Sequence, residues 1–89
     1  MTHPIVSVIR LMAELLVGDD ELDAVRGVEG SQSLTIEVCP TTDRAASRLI
    51  GRGGVTADAF RHLAARAGRA LTEPLQVTVV ILDPPGRRR

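Results

Sequence analysis

Ile50-Gly51-Arg52-Gly53-Gly54-Val55 is the stretch on which the reading of this 89-residue chain turns. Glycines crowd together here between two segments of helical apolar spacing, so one helix must stop and another must begin. On the N-terminal side, Thr42 or Asp43 is placed to cap a short helix from about Arg44 to Ile50, with Ala46, Leu49 and Ile50 facing inward. On the C-terminal side, the spacing of Ala59, Phe60, Leu63 and Ala67 predicts a helix from Val55 to about Ala67, ended by Gly68.

Further out, the period changes. Leu22, Ala24, Arg26 and Val28 alternate with Asp23, Val25, Gly27 and Glu29, while Leu34, Ile36 and Val38 alternate with Thr35, Glu37 and Cys39. With Gly30-Ser31-Gln32 between them, the two runs predict a hairpin whose second strand ends at Pro40. Before it, Ile5, Val8, Ile9, Met12, Leu15 and Leu16 recur at three- and four-residue steps, one apolar face of a helix from Pro4 to Val17. Thr2 is the expected cap, Pro4 suits the first turn, and Gly18 with Asp19 and Asp20 stops it. After the central helices, Leu75 to Leu82 is β-branched and nearly all apolar, as for a strand buried on much of both faces. The expected order is α, β, β, α, α, β: an α+β domain over residues 1–82, a three-stranded sheet packed by three helices. Residues 83–89, rich in Pro and Arg, are expected to be a disordered tail.

Composition excludes several classes of function. A single cysteine forbids an intrachain disulfide, and Cys39, His3 and His62 cannot complete a four-ligand zinc site. Phe60 is the only aromatic, so modules that stack bases on surface rings are excluded and this ring belongs to the core. The glycine stretch is not a nucleotide-cradling P-loop, because its spacing is wrong and the chain has no Lys. Cys39 reads as a small hydrophobe, His62 as a solvated helix residue, and Asp19 to Asp23 as a solvated acidic loop. No acid pair, metal set or activated nucleophile can be located, so no enzyme activity and no cofactor are expected. No apolar run approaches a membrane span and no signal-peptide pattern opens the chain, so a cytoplasmic location is expected.

Formal net charge is zero, yet the halves differ. Up to Asp43 there are eight acids against Arg10 and Arg26; from Arg44 onward there are nine arginines against Asp58, Glu73 and Asp83. The basic half contains the glycine stretch, and that stretch has the chemistry of an anion site. Glycines allow a sugar-phosphate backbone to approach the main chain, the start of the following helix adds partial positive charge, and Arg52 adds a full one. Ile50 and Val55 are the candidate aliphatic contacts beside it, and Arg48 and Arg61 the candidate further phosphate contacts.

Ile50-Gly51-Arg52-Gly53-Gly54 between two helices, after a hairpin and before a last strand, resembles the IGxxG signature of the KH domain, and the element order that of its type II form. The runs Arg48 to Gly54 and Thr56-Ala57-Asp58-Ala59-Phe60-Arg61, the Val28-Glu29-Gly30 turn and the N-terminal apolar helix are similar to the KhpA family of stand-alone bacterial KH proteins. The resemblance implies single-stranded RNA binding by the Gly51 to Gly54 loop, with RNA-chaperone or post-transcriptional roles linked to cell elongation and division. It also implies a homodimer and a larger KH partner of the KhpB, Jag or EloR type. Relatives usually carry Lys or Arg where Gly53 stands and a basic residue where Val55 stands, and often a base where Asp58 stands. The alternative expectation is therefore a protein-interaction module in which RNA is secondary.

Overall fold

The computed structural model describes residues 3–85. Its elements are α1 (Pro4–Val17), β1 (Leu22–Glu29), β2 (Ser33–Pro40), α2 (Asp43–Ile50), α3 (Val55–Arg69) and β3 (Gln76–Ile81). Short 3-10 turns at Asp19–Glu21 and Arg52–Gly54 follow α1 and α2. The molecule is α+β, with a mixed sheet in the order β1-β2-β3. β1 and β2 pair antiparallel, and β2 and β3 pair parallel, so α2 and α3 form the crossover that a parallel neighbour requires.

The helices cover one face of the sheet. From the strands, Val25, Leu34, Ile36, Val38, Val77 and Val79 are buried beneath Ile5, Val6, Ile9, Ala13, Leu49, Phe60 and Ala64 from the helices. Phe60 is the largest fully buried side chain and occupies the centre expected of it. The other sheet face carries no helix, and Val28 and Val80 are exposed on it.

Several sequence expectations change once the layers are assembled. α1 is capped by His3, whose Nδ1 accepts from the Ile5 N–H at 3.1 Å; Thr2 lies outside the described residues. Its buried face is Ile5, Val6, Ile9, Ala13 and Val17, so Val8 and Leu15 are turned outward. In α2 the Thr42 hydroxyl caps Ala45 N–H at 3.0 Å, and Ala45 and Leu49 point inward. Ala46 is only partly buried and Ile50 is exposed. In α3 the inward residues are Ala57, Phe60, Ala64 and Gly68, whereas Ala59, Leu63 and Ala67 are exposed. In each helix the apolar stripe is wider than the face the sheet can cover, and small alanines take the positions of closest approach.

Gly68 does not end α3. It lies within the helix and is buried, because a Cβ there would come within 2.5 Å of the Leu75 carbonyl oxygen and 2.6 Å of a Val77 methyl. The glycine lets the returning chain cross directly over the helix, and Leu75 N–H donates to the Gly68 carbonyl at 3.1 Å.

In the hairpin, Leu22 pairs with Pro40 but Ala24 pairs with Cys39, so Asp23 is an extra residue in β1. This bulge breaks the simple alternation: Val25 is buried and Leu22 also packs against the core, although they are three residues apart. β3 is not buried on both faces. It is an edge strand with Val77 and Val79 inward and Thr78 and Val80 outward. Leu82, the last residue expected of the domain, donates its N–H to the Val38 carbonyl at 2.9 Å, and within the expected tail Pro84 is buried. Residues 86–89 of that tail lie outside the described residues.

Candidate nucleic-acid interface

The candidate site is built where α2 gives way to α3. Gly51 terminates α2 with φ 77°, its N–H donating to the Ser47 carbonyl at 2.8 Å. Any Cβ there would collide with the Thr56 side chain, so two constraints, a positive φ and a close neighbour, both require glycine. The chain then makes a 3-10 turn in which Gly54 N–H donates to the Gly51 carbonyl at 3.1 Å and Val55 N–H donates to the Arg52 carbonyl.

Gly53 (φ 64°) and Gly54 (φ 83°) are both left-handed, and nothing lies within 4 Å of where a Cβ would stand on either. Their main chain is open to approach from that side. Gly54 is the N-cap of α3, and no side chain caps that end. A helix of 15 residues therefore presents its positive end beside an uncrowded glycine backbone, the arrangement that favours an anion. The Arg52 side chain is exposed and makes no hydrogen bond or ion pair among the described residues. Ile50 and Val55 flank the turn as exposed aliphatics, 42% and 69% accessible.

The other two candidate arginines are already engaged. Arg48 Nη1 donates to the Leu16 carbonyl at 3.5 Å, which ties the end of α2 to the end of α1. Arg61 bridges α3 to β3: its Nε donates to the Val79 carbonyl at 3.3 Å and its Nη1 pairs with Asp58 at 3.1 Å. Arg69 belongs to a different flank, lining an open depression with Gln32, Ala65 and Leu75, so it does not extend the loop's charge. The loop residues, Ile50 and Val55 thus come together as one surface with Arg52 as its unengaged cation. The Thr56 contact that fixes Gly51 and the attachment of Arg61 to β3 had no signal in spacing, because both depend on how elements pack.

Cys39 is buried, with Arg26 Nη2 donating to its Sγ at 3.4 Å, and His62 is exposed. No group of His, Cys, Asp and Glu among the described residues is arranged to hold a metal ion. Nor is any helix among them long and apolar enough to cross a membrane. No protein-family model matches the chain, and a search of curated proteins finds no match.

Proposed function

We propose that this chain is a type II KH domain that binds single-stranded RNA through Gly51, Arg52, Gly53 and Gly54, without catalysis. The observation that carries this reading is the pair of left-handed glycines, open above the main chain, at the uncapped start of α3. The α, β, β, α, α, β element order supports it. Phosphates lie against the Gly53-Gly54 main chain and the helix end, with Arg52 supplying the full charge. Ile50 and Val55 contact bases or sugars, and Arg48 and Arg61 reach phosphates by exchanging their carbonyl partners for stronger charge-assisted bonds. The setting that the resemblance implies, a cytoplasmic RNA chaperone or post-transcriptional regulator, is part of the proposal.

Fluorescence anisotropy with a pool of short single-stranded RNAs tests it, comparing wild type with the double variant Arg52→Asp, Gly53→Asp at low and near-physiological salt. Binding that weakens as salt rises and is lost in the folded variant supports the loop as the RNA site. Equal binding by both proteins, or none by either, overturns it. A second role in protein association is favoured by a separate observation, the apolar side chains that α1 and α3 leave uncovered.

A further inference from the structure

Where the chain crosses α3 at Gly68, it leaves a hollow beside the helix. Leu75 N–H donates to the Gly68 carbonyl at 3.1 Å, and one residue later Gln76 N–H donates to the Gln32 carbonyl at 3.0 Å. The last turns of α3, the start of β3 and the hairpin turn are thereby fixed around one open depression of about 570 Å³. That volume is within the range of small-ligand sites, whereas the apolar groove between α1 and α3 holds about 140 Å³. The depression stands at the opposite end of α3 from the glycine turn, along a helix of 15 residues and so about 22 Å away.

The residues around it differ in chemistry. Ala65, Leu75 and Val77 supply an aliphatic floor. Gln32 and Gln76 come from the hairpin turn and β3, and the bond between their main chains holds them side by side. Arg69 comes from α3, and it also lines an adjoining hollow with Arg66, three residues earlier on the same helix face. A further hollow shares Gln32 and Leu75 and adds Glu73. The side chains of Gln32, Arg66, Arg69 and Gln76 are exposed, and none makes a hydrogen bond or ion pair among the described residues. The helix dipole alone favours arginines in a last turn. It does not account for two unengaged carboxamides lining the same hollow over an apolar floor.

We propose that this depression binds one adenine nucleotide unit: base, ribose and phosphate. The base lies on the aliphatic floor of Ala65, Leu75 and Val77. Gln32 and Gln76 each offer a donor and an acceptor, the pair that the N6 and N7 atoms of adenine match. Arg66 and Arg69 hold the phosphate by charge-assisted hydrogen bonds, and the Glu73 carboxylate accepts from a ribose hydroxyl. A bare anion uses the arginines alone, whereas a nucleotide uses all three kinds of surface. A free nucleotide and a nucleotide within an RNA strand present the same chemistry. The site does not rest on the RNA reading of the glycine loop.

Amide NMR of the full chain tests the proposal. Adenosine 5′-monophosphate is expected to shift the signals of Gln32, Ala65, Arg69 and Gln76 saturably, in wild type and in the Arg52→Asp, Gly53→Asp protein alike. Uridine 5′-monophosphate and inorganic phosphate are expected to bind about tenfold or more weakly. Arg69→Gln, at an exposed position, should weaken the adenosine nucleotide about tenfold with the circular dichroism spectrum unchanged. Gln32→Ala with Gln76→Ala should remove the preference for adenine over uracil; where that pair fails to fold, Gln32→Ala alone should reduce it. A short oligoadenylate without terminal phosphates, added to the Arg52→Asp, Gly53→Asp protein, separates the two sources. Tighter binding than by the mononucleotide identifies RNA as the occupant, and weaker binding identifies the free nucleotide. Equal binding of inorganic phosphate and the adenosine nucleotide, no saturable shift at these four residues, or an Arg69→Gln protein that binds like wild type overturns the proposal. Because the loop variant keeps this site, failure here and failure of the loop reading are told apart.

Discussion

Arg61 on α3 donates from Nε to the carbonyl oxygen of Val79 at 3.3 Å, in the middle of the edge strand β3. A carbonyl on a sheet edge has no strand to pair with, and a guanidinium held above it satisfies the acceptor while placing a positive charge where another strand would dock. Arg10 does the same at the opposite edge, on the Val25 carbonyl of β1. Both edges of this small sheet are thus guarded by arginines from the covering helices.

Arg61→Ala should cost about 0.5–1 kcal/mol in urea unfolding, since one part-buried hydrogen bond is lost and the accompanying ion pair is half exposed and screened. Asp58→Asn should change stability much less, because it removes only the exposed pair. Equal losses in the two variants would show that the contact with Val79 contributes nothing.

Gly68→Ala separates helix propensity from packing. Propensity alone favours Ala by about 1 kcal/mol at an interior helix position. The new methyl, however, would sit within 2.5 Å of the Leu75 carbonyl oxygen, so net destabilisation of about 1–3 kcal/mol is expected from overpacking. A raised melting temperature would contradict the close crossing of α3 and β3.

The loop glycines should not respond alike. Gly51→Ala combines a positive φ with a collision against Thr56, and is expected to destabilise by about 2 kcal/mol or more. Gly54→Ala meets nothing within 4 Å and should cost only the backbone strain, about 1 kcal/mol. Chemical denaturation of the two variants side by side measures the difference, and the close approach of Thr56 to Gly51 is supported only if Gly51→Ala is clearly the worse.

Phe60→Ala should remove about 3–5 kcal/mol. That is a large share of the stability of a domain this small, so the variant is expected to be substantially unfolded at room temperature by circular dichroism. Thr42→Ala, which deletes the α2 cap on Ala45 N–H, is expected to cost about 1 kcal/mol by the same measurement.

Local sequence rules located the elements because their signals are local. Gly18 stopping α1, Thr42 opening α2, the turn at residues 30–32 and the glycines at 51–54 each follow from what a backbone can do at that residue. The rules misjudged which residues face inward. Ala46, Ile50, Ala59, Leu63 and Ala67 all have acceptable apolar spacing, yet Ala45, Ala57 and Ala64 are the ones buried. Spacing defines a stripe, whereas the neighbouring layer selects the part of it that is covered. The same is true of the candidate site: the glycine turn was legible, but the attachment of Arg48 to Leu16 and of Arg61 to Val79 was not.

The order α, β, β, α, α, β and the glycine turn between the two central helices were determined by the sequence itself, because backbone sterics, capping and hydrophobic period act over a few residues. The tertiary structure alone decided that β3 lies parallel to β2 at an edge, that Gly68 is a crossing point rather than a helix end, and that a face of α1 and α3 is left uncovered. These depend on contacts between residues far apart in the chain. A sheet of three strands is simply too narrow to bury the full apolar girth of the helices laid upon it.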